Sequence, residues 1–301
     1  LIGFAFVPLI LACAYAVFDG TTEKRDRARA FFLVLLGCLL AVFAQPNLVF
    51  SVFTLFIPYG AYRVWNVVSD HATSHVRLLQ FCGMGAFFVI IIVVWAFCLN
   101  ASFMQSVVNF DWPALSTIPQ AFVDTLFVCS SLTPISPVLA LFLVIGIVGT
   151  FKERNHLWIT VLFIFVTIMY VACVATNGSL DRILTGFWYT DRFRISALLA
   201  IVQTLLIAFG LAKTYSFIRK RKNYKRPIWI ALTVVLFVLL LFPSFTLRGL
   251  TIVDTPFGHL RHELHSLYRS DQADNEAVFS QEEQDFVDQA RDLVGNARVY
   301  N

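Results

Sequence analysis

Between Gly186 and Arg194 the chain reads GFWYTDRFR, which sets Trp188, Tyr189, Asp191, Arg192 and Arg194 side by side. Arginine is the side chain suited to a phosphate, because its planar fork donates to two oxygens at once. Trp and Tyr favour the headgroup level of a bilayer, where the polar end of a lipid also sits. Asp181 and Arg182 lie a few residues earlier in the same connecting segment, 176–194. Together these residues have the parts to hold a lipid-linked phosphate, with Asp191 orienting an arginine or acting as a base. The plainer alternative is that aromatics and arginines at a span boundary only anchor it, with each Asp pairing its neighbouring Arg.

The elements that position this cluster are apolar helices. Of 301 residues, 58% are hydrophobic and 14% charged, with a mean hydropathy of +0.73. A soluble domain carries about 25% charge, so the composition is that of a multi-span membrane protein. Apolar windows of about 20 residues predict eight spans, near 1–18, 30–44, 47–64, 80–98, 136–150, 157–175, 195–214 and 228–243. Pro58 interrupts the third, and AQPN (44–47) reads as a tight turn before it.

Charge orients the spans. TTEKRDRAR (21–29), FKER (151–154) and IRKRKNYKR (218–226) fall in one set of loops, whereas the short loops of the other set carry Arg182, Arg192 and Arg194. By the positive-inside bias the first set is cytoplasmic, which places both ends of the chain outside. Three arginines on the outer side run against that bias, and an anionic ligand there would account for them. The sequons NAS (100–102) and NGS (177–179) fall on the same outer side.

Two longer segments then lie outside. Residues 99–135 are moderately polar, and Phe122, Leu126 and Phe127 against Asp124 and Ser130 predict a short amphipathic helix lying in the interface. Asp111 and Trp112 in FDWP read as turn residues. Residues 244–301 hold ten acids against five arginines and no lysine. Ser280 and Glu283 form a capping box, Phe286, Val287, Ala290, Leu293 and Val294 an apolar face, and Gly295 a stop. ARVY then begins a strand. The division predicted is a transmembrane helical domain over 1–243 and the start of an extracytoplasmic α/β domain over 244–301. The chain opens inside an apolar run without Met and closes inside that strand, the pattern of a piece of a longer protein.

Other chemistry is thinly represented. His259, His262, Glu263 and His265 in HLRHELH share a face if helical, but no fixed-spacing motif makes them a metal site. His71 and His75 beside Asp70 are weaker still. The six cysteines, at 13, 38, 82, 98, 129 and 173, follow neither a disulfide nor a zinc spacing. No cofactor is identified, no folded module for nucleic acid accompanies IRKRKNYKR, and the apolar windows lack the charges that mark ion pathways.

The stretch Trp188, Tyr189, Asp191, Arg194, followed at once by the span ISALLAIVQTLLIAFGLA, resembles the DUF6541 type of large actinobacterial multi-pass membrane proteins, and AQPNLVFS (44–51) looks like a second shared element. Such proteins resemble the GT-C superfamily of glycosyltransferases, which use polyprenyl-phosphate sugars at the outer membrane face. The resemblance implies a cell-membrane enzyme of envelope glycan assembly, with a polyprenyl-phosphate sugar donor and a glycan acceptor. It implies a lipid-phosphate site at Arg182, Trp188, Tyr189, Asp191, Arg192 and Arg194. It also implies a catalytic acid in a first outer loop, expected upstream of Leu1. The alternative from another class is a non-catalytic membrane protein, a lipid or glycan transporter or an assembly scaffold.

Overall fold

The computed structural model describes residues 4, 6–18, 23–69, 76–110, 112–130 and 135–220, with 227, 230, 231, 233–235, 245–247, 250–253, 264, 285, 286, 288 and 289. Packing divides the chain into two units, Leu1–Tyr224 and Lys225–Asn301.

The first unit is helical: α1 (Val7–Phe18), α2 (Lys24–Ala44), α3 (Leu48–Ser69), α4 (Val76–Asn100), α5 (Gln105–Val108), α6 (Ile118–Leu126), α7 (Pro137–Lys152), α8 (Leu157–Ala175), α9 (Ser179–Thr185) and α10 (Arg192–Arg219). Against the eight predicted spans, five helical segments among the described residues are long and apolar enough to cross a bilayer: α2, α3, α4, α10 and the segment Arg154–Ala175 that contains α8. The protein is thus a helical membrane protein. α1 and α7 are apolar but shorter, and the window 228–243 lies for most of its length outside the described residues.

Helix boundaries run past the apolar windows because Lys, Arg and Glu are good helix formers and their long stems lie along the helix while their charges reach water. α2 therefore begins at Lys24, inside the basic stretch predicted as a loop. α3 continues through Pro58, since neighbouring helices in a membrane re-satisfy the backbone a proline frees.

The connections fix which helix ends lie together. Trp188, before α10, donates its indole N–H to Ser51 Oγ, near the start of α3, at 2.9 Å, and Trp95, near the end of α4, donates to the Ile183 carbonyl at 2.8 Å. The start of α3, the end of α4, α9 and the start of α10 therefore share one end of the bundle, the arginine end. At the opposite end, Lys213 of α10 pairs with Glu153, which follows α7. That hydrogen bond holds the Glu153 carboxyl below its usual range. Antiparallel succession brings Lys24–Arg29 of α2 to this same end, so the three basic stretches converge there as far as they are described.

The largest departure from the sequence reading is α6. It does not lie flat at the surface. The preceding chain is tied to the end of α8, with the Leu115 and Ser116 N–H groups donating to the Val174 carbonyl at 2.9 and 3.0 Å. From there α6 descends, and at its far end the Thr125 carbonyl accepts from Gln203 Nε2 at 2.8 Å. Gln203 is about 16 Å along α10 from Arg192 at a rise of ~1.5 Å per residue. Small residues permit this: Ala121 and Thr125 are fully buried, while Ile118 and Phe122 face outward.

α7 starts from the same depth, where the Ser136 N–H donates to the Phe127 carbonyl at 3.1 Å. Its 16 residues reach only about 24 Å, short of the ~30 Å hydrocarbon core. α6 and α7 together make one interrupted span. Lipid cannot satisfy the carbonyls left at such a break, which is the role Gln203 fills. Gln203→Leu is expected to cost about 1–2 kcal/mol, read as a lower unfolding temperature in detergent, and Gln203→Met, which keeps the length of the side chain without a donor, is expected not to rescue it. The span also carries Asp124 below the arginine end, bonded by Gln120 Nε2 at 2.7 Å. The sequence reading placed Asp124 on the polar side of an interfacial helix.

In the second unit the described residues include an antiparallel pair, β1 (Phe245–Leu247) and β2 (Leu250–Val253), with Leu247 opposite Leu250. The expected helix and strand over 280–300, and HLRHELH, lie outside the described residues save for isolated positions.

Candidate functional site

The chain from α9 to α10 folds as a tight corner. A 3-10 turn over Gly186–Trp188 leads into Tyr189 and Thr190, which take left-handed conformations, φ 61° and 49°. A β-branched residue with positive φ is a backbone outlier that costs about 1–3 kcal/mol unless its surroundings enforce it. Here the Thr190 hydroxyl donates to the Phe110 carbonyl at 3.1 Å, and the Cys173 thiol donates to the Thr190 carbonyl.

Beneath the corner the aromatics are packed inward. Trp188 is 0% exposed, and Phe187 stacks on Phe50 with centroids 4.1 Å apart. Trp188 is therefore a footing of the corner rather than a wall at the headgroup level. Its partner Ser51 lies in AQPNLVFS, which gives that stretch a structural role. Asn47 of the same stretch is 7% exposed, and neither side-chain polar atom has a hydrogen-bond partner among the described residues. Sequence reading missed Ser51 as part of the corner, because its partner is 137 positions away.

Above the footing, Asp191 caps α10. Its Oδ1 accepts from the Phe193 N–H at 2.8 Å, and its Oδ2 pairs with Arg194 Nε at 3.2 Å. Arg194 lies over the Tyr189 ring, 4.6 Å from the centroid. One carboxylate thus orients the guanidinium from one side and an aromatic face from the other, while Arg194 Nη1 is buried with no hydrogen-bond partner among the described residues. Arg192, the first residue of α10, stands over the Phe193 ring and makes no ion pair among the described residues. It lines a cavity of about 200 Å³ with Trp112, Cys173, Thr190, Asp191 and Phe193.

The electrostatics of this corner are unusual for a helix start. The first turn of a helix carries partial positive charge, which favours anions and disfavours cations by ~0.3–1 kcal/mol each. α10 places two arginines there and no acid after its cap. Asp191 offsets one of them. What remains among the described residues is a guanidinium without a counter-ion and a second with an unused N–H, beside the N-terminal amides of α10. The arrangement is suited to an oxyanion.

Arg182 is not part of it. On α9 it is exposed and lines a different cavity, with Trp95, Asn100, Gln105 and Asn109. Asp181 turns into the bundle, 1% exposed, and accepts from the Thr185 hydroxyl. The six residues singled out from sequence thus separate into a corner (Tyr189, Asp191, Arg192, Arg194), its footing (Trp188) and an outlying Arg182. Asp111 lies outside the described residues.

A family model matches residues 1–301 and describes a family of unknown function, DUF6541. No curated protein and no solved structure matches.

Proposed function

The chain belongs to the DUF6541 family, and on that premise we propose a membrane glycosyltransferase of GT-C-like type, using a polyprenyl-phosphate sugar to build envelope glycan. The observation that carries this reading is the pair Arg192 and Arg194 in the first turn of α10. A position that disfavours cations holds two, with one acid, the cap Asp191, just before them. As the bond from sugar to phosphate breaks, negative charge grows on the phosphate, and preorganised donors stabilise the transition state by more than the ground state. Arg194, held by Asp191 and Tyr189, is the fixed donor, and Arg192 at the cavity mouth is the second. The arginine end faces outside, as the basic stretches at the other end argue. The acidic region after residue 243 helps hold the acceptor glycan.

The second reading, a lipid or glycan transporter, draws support from the interrupted span of α6 and α7. Broken helices with an acid at the break are a recurrent construction in transporters, and Asp124 lies there. The two readings part in one experiment. The full-length protein in liposomes is given a labelled polyprenyl-phosphate sugar, and both label transfer to a glycan acceptor and lipid movement between leaflets are followed. Transfer without net movement supports the enzyme. Movement without transfer overturns it in favour of the transporter.

A further inference from the structure

α6 gives one face to the bundle and turns the other away from it. It packs on α8, with Ala121 and Thr125 buried, whereas Ile118, Gln120, Phe122, Val123 and Phe127 are exposed. Four of these five are apolar, as a lipid-facing surface requires. Gln120 is the exception, and the half-buried Asp124 stands one turn below it.

The hydrogen bonds of this pair leave a remainder. Asp124 Oδ1 accepts from Gln120 Nε2 at 2.7 Å, and the Cys129 thiol lies 3.7 Å from the same oxygen. Asp124 Oδ2 has no partner among the described residues. A carboxamide carries two N–H donors, and Gln120 gives one of them to Oδ1. The outward face of α6 therefore holds one spare donor and one spare carboxylate oxygen, side by side.

Depth makes that remainder costly. α6 starts beside the end of α8, where Leu115 and Ser116 donate to the Val174 carbonyl. Asp124 is six positions after Ile118, about 9 Å further in at ~1.5 Å per residue. Lipid tails at that depth offer neither a donor nor an acceptor. Polar side chains in hydrocarbon are instead satisfied by another helix.

The occupant of this face must supply an acceptor and a donor at the same depth. A second copy of this chain supplies both. A two-fold axis along the membrane normal carries every residue to its own depth and makes each contact reciprocal. The spare N–H of Gln120 then meets Oδ2 of the partner's Asp124, and the partner's Gln120 returns the bond. One contact satisfies both remainders and closes at two copies.

We propose that the protein pairs with a second copy of itself through the outward face of α6, joined by two reciprocal Gln120–Asp124 hydrogen bonds with Phe122 and Val123 packed around them. The pairing goes beyond either functional reading above and depends on neither.

The test is subunit counting by single-molecule photobleaching of the full-length protein, dilute in liposomes. Two-step bleaching is expected for the wild type. Gln120→Leu removes the donor and Asp124→Leu the acceptor, and each is expected to weaken pairing about tenfold or more, from the loss of both interhelical bonds. Gln120 is exposed, so its replacement leaves the packing of α6 on α8 intact. Gly85→Leu on α4, where nothing lies within 4 Å of a Cβ, is expected to pair like the wild type. The sharpest result comes from mixing the two α6 variants under different dyes. A mixed pair regains one of the two bonds and a like pair none, so mixed pairs are expected to outnumber like pairs by more than chance. Single-step bleaching of the wild type would overturn the inference, since another protein or lipid would then cover α6. Pairing that ignores both α6 substitutions, or mixed pairs at the chance frequency, would overturn it as well.

Discussion

Leucine in place of Gly210 is expected to prevent the bundle from assembling. α7 and α10 cross where Gly146 meets Gly210, and a Cβ built on either falls inside the radius of the facing helix's backbone, the Leu206 carbonyl for Gly146 and the Phe142 carbonyl for Gly210. Helices in lipid gain little from hiding apolar surface, and their association rests on such close backbone approach. The obstacle is backbone rather than a side chain that can swing aside. The cost is therefore more than the ~1–3 kcal/mol of ordinary overpacking. Gly146→Leu is expected to behave alike. Gly85→Leu is the control, because nothing lies within 4 Å of a Cβ there. Thermal unfolding and the monodisperse yield in detergent read the difference. Equal stability of the Gly85 and Gly210 variants would mean that α7 and α10 do not meet at these residues.

The second large effect is expected at Trp188. Trp188→Ala removes the largest fully buried side chain at the arginine end and costs about 3–5 kcal/mol by cavity formation. It also leaves Ser51 Oγ without its donor. Trp188→Phe keeps most of the volume and loses the hydrogen bond, at about 1 kcal/mol. The alanine variant is expected to unfold at a much lower temperature than the phenylalanine variant. Were both to unfold with the wild type, Trp188 would be an exposed interfacial anchor, as its residue type first implied.

That contrast shows what was legible in the sequence. α8 was read with its bounds, Leu157 to Ala175, because an uninterrupted apolar run is closed by polar residues on both sides. Asp191 was read as a partner of arginine, a local relation within one helical turn. Trp188 was misplaced because a tryptophan beside arginines has the same local pattern whether it faces lipid or core. Only Ser51, far away in the chain, decides. α6 is the short amphipathic helix the pattern predicts; its depth was misread, because nine residues are too few for a 20-residue window. What sinks it is the pair of small residues Ala121 and Thr125 with the amide of Gln203, none of them a hydropathy signal. Arg182 was grouped with Arg192 and Arg194 by nearness in sequence, but the corner at Tyr189 and Thr190 turns α10 away from α9.

The corner is the central claim, and one measurement bears on it most directly: the transfer rate from a polyprenyl-phosphate sugar by the full-length protein with Arg192→Ala and Arg194→Ala, singly and together. Preorganised donors at a growing oxyanion are worth about 100- to 1,000-fold each in rate. Each variant is expected to lose at least about 100-fold in kcat with its unfolding temperature little changed, and Arg194→Lys to recover little, since an ammonium lacks the fork. Transfer at the wild-type rate by the double variant would contradict the account, leaving the arginines as anchors at the start of a helix.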